Sequence, residues 1–268
     1  MSAQMASARS QPGLPMIHFL EHQFLRFRST FRGTVVTGTV GPLMYLLGIG
    51  VGLGSQIDAE ATGLGTDDYL SFVGPGLMAA AAMQLAASES LWQTAGMLRW
   101  EGNYVAIANT PLSIRQLFAG HVTWIGFRAF VAATLYLLVL AGFGVPATPL
   151  ALLAPLAAVL TAMAFAALIS AWTGHTERDQ SYPVILRLFV IPMYLFSGAF
   201  YPVSQLPTAL GWFSRCTPVW HGVQLCRGLI TGDDLSLAAA IAHMAVLVGF
   251  IVVGLTTGTF TFRRALGS

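Results

Sequence analysis

Residues able to do acid–base, nucleophilic or metal chemistry are sparse in this 268-residue chain, and they do not cluster. Glu89, Arg128 and Arg187 stand inside or at the edges of long apolar runs. Ionisable groups in such surroundings are costly and face an interior, water or one another. Glu89 and Arg187 fall near the same ends of two runs, where they could pair, receive a headgroup, or snorkel to an interface. Arg128 lies nearer the middle of its run, which calls for a partner. His121 and His243 have no partner that spacing reveals and read as packed or interfacial residues, not ligands. No His/Cys/Asp group has metal-ligand spacing, and no Gly-x-Ser-x-Gly nucleophile motif occurs. All 13 cationic side chains are arginine; a P-loop needs its lysine on the phosphates, so this chain holds none.

The elements carrying these residues are set by bulk composition. The chain is 55% hydrophobic and 9% charged, with a mean hydropathy of +0.69. Soluble domains carry roughly 25% charged residues, so most of this surface meets lipid or other helices. About 20 apolar residues cross roughly 30 Å of hydrocarbon, which leaves room for about six spans. The net charge of +2 implies no nucleic-acid partner.

Residues 1–15 read as a disordered tail. Residues 16–32 place Met16, Leu20, Phe24, Phe27 and Phe31 on one helical face and His18, Glu21, His22, Arg28 and Arg32 opposite, an amphipathic helix suited to the headgroup plane. Spans are expected near Gly33–Leu53, Leu70–Leu91, Ile114–Phe143, Leu150–Trp172, Pro183–Tyr201 and Leu235–Phe260, within one unit 33–264. The alanine run at Ala79–Ala82 permits close helix contact. With the N-terminus inside, Arg9, Arg26, Arg28, Arg32, Arg99, Arg115, Arg178, Arg263 and Arg264 fall on the cytoplasmic side. Arg215 and Arg227 fall outside, together with Asp58, Glu60, Asp67, Asp68, Asp233 and Asp234. The excess of inside arginines predicts that both termini are cytoplasmic.

Two stretches are more than simple spans. Residues 201–232 are too apolar for a solvated loop and too broken by Pro202, Pro207 and Pro218 for one span. Helices near Gln205–Phe213 and Val219–Leu229 would form a hairpin that dips into the outer leaflet or caps the bundle. Cys216 and Cys226 lie here, either as a disulfide in an oxidising compartment or as two unpaired thiols. Residues 98–111 mix Arg99 and Glu101 with Trp100, Tyr104 and Ile107, a short amphipathic segment fit for docking in a partner's groove or lying on the membrane. The fold class is therefore all-α integral membrane: six transmembrane helices, an N-terminal interfacial helix, and a re-entrant extracellular helical hairpin between spans five and six.

The run Ser197-Gly198-Ala199-Phe200-Tyr201-Pro202, then Gln205-Leu206-Pro207, Pro218, His221 and Arg227-Gly228, resembles the signature of type-2 ABC transporter permeases. Glu89 followed by an aromatic segment and Thr110-Pro111-Leu112 is similar to the nodulation-factor-export and daunorubicin-resistance branch. The resemblance extends from about Gly33 to Arg264. It implies a permease without its own nucleotide-binding domain, paired with a P-loop ATPase that holds ATP and Mg, and with a second permease, identical or different. It implies that Arg99, Trp100, Glu101, Tyr104 and Ile107 belong to an ATPase-coupling helix spanning Arg99–Asn109. It further implies that Gly198, Tyr201, Pro202, Pro207, Pro218 and His221 form an outer gate, and that an amphipathic substrate (lipid, lipid-linked glycan or hydrophobic drug) is exported between two permeases. The alternative is a stand-alone secondary transporter or channel, which would show inverted repeats and paired interrupted helices; no such symmetry is visible. A membrane enzyme would need a constellation the chain lacks.

Overall fold

The computed structural model describes residues 17, 19–21, 23–25, 27–28, 43–44, 46–53, 69–104, 112–176, 179–232 and 235–267. Several sequence expectations lie outside these residues: the tail 1–15, residues 33–42 of the first span, the acidic stretch 54–68, residues 105–111 with Ile107, and Arg26, Arg32, Glu177, Arg178, Asp233 and Asp234.

All regular structure among the described residues is helical. In chain order the elements are α1 (Leu46–Leu53), α2 (Tyr69–Trp100), α3 (Ile114–Gly142), α4 (Pro149–His175), α5 (residues 182–195), α6 (Thr208–Arg215), α7 (Pro218–Thr231) and α8 (Leu237–Ala265). Described residues between 17 and 28 form a further helix ahead of them. Among the described residues four helices, α2, α3, α4 and α8, are long and apolar enough to cross a membrane. α5 rises only about 21 Å at 1.5 Å per residue, short of a roughly 30 Å hydrocarbon core. It contains a π-helical turn at Leu186–Val190 and stops ahead of the Ser197-Gly198 turn.

Residue size decides which helix sits in the middle. α4 buries Ala154, Ala157, Ala158, Ala162, Ala164, Ala166, Ala167 and Ala171, so α2, α3, α7 and α8 can all approach its backbone. A β-carbon on Gly254 of α8 would lie 2.5 Å from that of Ala167, so glycine is what lets α8 and α4 touch. α8 buries only the stripe Leu247, Ile251, Gly254, Gly258 and Phe262 and turns its other faces, with Ile241, Val248, Val252 and Phe260, outward. The most apolar window of α2 is 78% buried and that of α8 only 17%, which makes α2 a central helix and α8 a peripheral one.

α3 begins where expected, with a capping box. The Ser113 hydroxyl accepts the Gln116 backbone N–H at 3.3 Å, and the Gln116 side-chain Oε1 accepts the Ser113 backbone N–H at 3.0 Å. α2 does not end at Leu91 as expected. It continues because Leu91 and Ala95 pack on Tyr182, whose ring lies fully buried against them. A π-helical turn at Gly96–Trp100 follows, closed by the Glu101 N–H on the Gly96 carbonyl at 2.8 Å. Gly102, at φ +65°, then breaks the chain direction. In the N-terminal helix Phe19, Gln23 and Phe27 are buried, while Phe24, on the apolar face suited to the headgroup plane, is exposed. Phe27 meets Trp124 and Phe127 of α3 edge-on at 5.8 and 6.0 Å, so this helix is anchored on α3 by aromatic contact.

Candidate functional site

The sites of interest lie along α2, at its C-terminal end, its middle and its N-terminal end. At the C-terminal end Arg99 turns back onto α4. Its guanidinium donates to the Thr173 and Thr176 carbonyls at 3.2 and 2.6 Å and to Asp179 at 3.3 Å. A cation on the last carbonyls of a helix satisfies orphan acceptors and the helix dipole together. The Trp100 indole N–H donates to the other Asp179 oxygen at 2.9 Å, while its ring remains 57% exposed. Glu101 is exposed and accepts from Asn103.

Tyr104, expected beside Trp100 as a surface anchor, is fully buried. It lies 2.7 Å from His121 Nδ1 of α3, and His121 Nε2 lies 2.9 Å from the Thr94 hydroxyl of α2. Thr94 in turn donates to Ser170 of α4 at 3.4 Å. With a neutral imidazole protonated on Nε2, every link has one donor and one acceptor. Among the described residues, 99–104 therefore do not form one surface helix. Arg99 and Trp100 end α2, Gly102 redirects the chain, and a new helical turn starting at Asn103 drives Tyr104 inward. Sequence spacing missed this because the two partners of His121 come from two other elements, and the third hydroxyl, Ser170, from a third. The available signal was a histidine on the Leu117–Trp124 face of an otherwise apolar span.

Midway, Arg128 pairs with Glu89 at 2.8 Å. Arg187, the partner considered from sequence, is exposed. Glu89 Oε2, Gln93 Oε1 and Arg128 Nε are buried without a hydrogen-bond partner among the described residues. Arg128 also faces the Phe27 ring at 5.9 Å. One turn further toward the N-terminus of α2, Gln84 and Ser88 are exposed. A mostly buried span thus carries a polar strip, Gln84, Ser88, Glu89 and Gln93, on a face the described residues leave partly open.

At the N-terminal end of α2 the residues of the proline-rich stretch converge. Arg227 of α7 stacks on the Phe72 ring at 3.8 Å, donates to the Phe72 carbonyl at 3.3 Å, and donates to the Gly198 carbonyl at 2.8 Å. Pro75 has no N–H for the Ser71 carbonyl, so the α2 ladder is already interrupted beside this bond. Gly198 turns the chain at φ +81°, which a side chain would strain. The turn is held by the Ala199 N–H on the Ser197 hydroxyl at 3.2 Å, and by the Tyr69 hydroxyl donating to Phe200 at 3.3 Å. Tyr201 is half-buried beside it. Pro202 and Pro207 precede the Val203–Gln205 turn and α6, and Pro218 opens α7, where a missing N–H costs nothing. His221 and His243 join α7 to α8, their Nδ1 atoms 2.8 Å apart, while His221 Nε2 donates to the Arg215 carbonyl at 3.1 Å. Cys216 is exposed, Cys226 is buried, and both are free thiols.

Four apolar spans, packed on the alanine-rich α4 among them, with polar residues left open along α2, define a membrane-embedded protein. The chain belongs to the ABC-2 type transporter family, whose pattern it matches over residues 17–231. Nodulation protein J of Rhizobium meliloti (strain 1021) is 28% identical over 243 residues, covering 91% of this chain and 90% of that protein. Nodulation protein J of Rhizobium leguminosarum bv. viciae is 28% identical over 261 residues, 95% and 96% of the two chains. The Azorhizobium caulinodans protein of the same name is 22% identical over 242 residues, 85% and 91%. Family membership makes the chain a membrane transport subunit and implies an ATPase partner.

Proposed function

We propose that this chain is the membrane-spanning permease subunit of an ATP-driven exporter in a bacterial inner membrane, with both termini cytoplasmic. Six spans would be completed by the 33–53 segment and by α5, the short helix being accommodated by local thinning of the bilayer, and α6 with α7 would form a re-entrant outer hairpin. The observation that carries the reading is the open polar face of α2. Gln84 and Ser88 are exposed in the middle of a span that is otherwise packed. Polar side chains facing hydrocarbon are costly, so a second permease and a hydrated path between the two are the natural cover. The orphaned atoms of Glu89, Gln93 and Arg128 border the same strip and would meet water or the polar part of an amphipathic substrate. A lipid, a lipid-linked glycan or a hydrophobic drug fits such a path.

The ATPase would seat on the end of α2, where Trp100 offers an exposed aromatic ring and Arg99 holds the α2 and α4 ends together. Tyr104 then acts as a transmitter rather than an anchor. Motion of the segment after Gly102 would reach α2, α3 and α4 through His121, Thr94 and Ser170. Gly198, Tyr201, Pro202, Pro207, Pro218 and His221 would frame the outer gate. The test is a pull-down of tagged chain from native membranes. The expected result is a stoichiometric P-loop ATPase with wild type and its loss with Trp100→Ala. A folded chain recovered with no ATPase would leave an autonomous transporter or channel.

A further inference from the structure

Outside the strip and the two ends of α2, one pair of side chains carries chemistry that the transport reading does not use. His221, in the first turn of α7, and His243, in the second turn of α8, bring their Nδ1 atoms to 2.8 Å. Both residues are half-buried, so the pair stands within reach of solvent. The hydrogen bonds settle where the protons are. The Arg215 carbonyl can only accept, so His221 carries its proton on Nε2 and donates it there at 3.1 Å. His221 Nδ1 is therefore a bare lone pair, which the His243 Nδ1–H fills. A backbone carbonyl on the far nitrogen is what fixes the tautomer and the ring orientation of metal-ligating histidines.

The only engagement of these two Nδ1 atoms is with each other, through one proton. Moving that proton from His243 Nδ1 to its Nε2, which no bond among the described residues occupies, leaves two lone pairs face to face. Both imidazoles stay neutral and no proton leaves the pair. Ring spacing then selects the ion. Two imidazoles on a tetrahedral ion, at about 2.0–2.1 Å per Zn–N bond, have ring centres about 5.2 Å apart. Adjacent corners of a square would need about 4.5 Å, and a linear pair about 6.4 Å. The His221 and His243 ring centres are 5.0 Å apart. Turning each ring by about 35° aims both Nδ1 atoms at one tetrahedral centre without moving either helix. Trp220 packs on both rings, at 4.9 and 5.2 Å, and forms an apolar wall on one side of the pair.

We propose that His221 and His243 form an exchangeable zinc site, with their two Nδ1 atoms as protein ligands and two waters completing the tetrahedron. The fold stands without the ion, because the shared proton already joins the two helices. With Zn2+ bound, two coordinate bonds tie α7 to α8 in place of one hydrogen bond. The site depends neither on an ATPase partner nor on the polar strip of α2.

The test is calorimetric titration of Zn2+ into the full chain in detergent, purified without a polyhistidine tag. His18→Gln and His22→Gln are present in the parent, because two histidines four residues apart could bind the ion themselves. One Zn2+ per chain is expected. His221→Gln or His243→Gln should weaken it by more than about tenfold, the least that loss of even a supporting partner costs a metal site. Excess Mg2+, which demands oxygen ligands, should not displace it. Zn2+ should also raise the melting midpoint of the parent and leave that of His243→Gln unchanged. Melting without metal checks that each variant folds. A parent that binds no Zn2+ would overturn the proposal. So would Zn2+ binding that survives both substitutions undiminished, or that Mg2+ displaces.

Discussion

The two ends of α2 are both held by an arginine that donates to backbone carbonyls, yet they are built for different behaviour. At the N-terminal end Arg227 stacks on Phe72, bonds two separate elements, and sits beside a glycine turn that a side chain would strain. At the C-terminal end Arg99 also bonds carbonyls, but the chain immediately loosens into a π-helical turn and a glycine at positive φ. Just inside that loosened end lies a buried file of hydroxyls and one imidazole shared among α2, α3 and α4. The first end is a clamp in which one guanidinium ties α7 to α2 and to the Gly198 turn. The second is a hinge backed by a polar file with a single good donor–acceptor arrangement, and π-turns inside helices recur at functional places for that reason.

The comparison can be broken most severely at the clamp. Arg227→Ala removes the hydrogen bonds to the Phe72 and Gly198 carbonyls together with the ring stack. About 4 kcal/mol of stability should go with them, read as a lowered melting midpoint in detergent and faster proteolysis of the α6–α7 hairpin. Gly254→Val strikes the middle instead. Its side chain would meet Ala167 from 2.5 Å, so α8 should shift off α4 for about 2 kcal/mol and both ends should loosen together.

The hinge answers to a finer cut. Tyr104→Phe keeps the ring in place and removes the hydroxyl from His121 Nδ1. It should cost about 1–2 kcal/mol in folding, and it should lower substrate-stimulated ATP hydrolysis of the reconstituted transporter while leaving complex assembly intact. The same substitution with unchanged coupling would make the buried file a packing device only.

The smallest effect belongs to the histidine pair at the outer face. His221 gives its Nε2–H to the Arg215 carbonyl, so neutral His221 accepts the His243 proton at Nδ1. A further proton on His221 sets N–H against N–H across 2.8 Å. Acidification from about pH 7.5 to about pH 5 should therefore weaken the α7–α8 contact by under about 1 kcal/mol, and His243→Gln should remove the dependence. Reactivity of buried Cys226 on α7 toward a thiol probe reports it.

Much of this architecture is legible in sequence because lipid imposes a length and a polarity. The bounds of α3, α4 and α8 follow from apolar runs and from caps such as Ser113 with Gln116. The proline-rich stretch divides into α6 and α7 close to where Pro207 and Pro218 place them. What escaped is what depends on a partner from a distant element. Glu89 could be assigned a need for a counter-charge but not the choice of Arg128 over Arg187, because the choice is fixed by how α3 packs on α2. The end of α2 escaped because Trp92 to Trp100 read as polar, whereas Tyr182 buries one face of it. The inward turn of Tyr104 escaped because Gly102 reverses the amphipathic pattern that spacing alone would continue.

The most direct test of the account sets the two ends against each other. A photo-crosslinking amino acid is placed at Trp100 in one variant and at Trp212 of α6, which is also exposed, in another. Each is expressed with its native membrane partners and irradiated. The account predicts that the P-loop ATPase is captured from position 100 and not from position 212. Capture from position 212, or from neither while the chain is folded and transport proceeds, would contradict it.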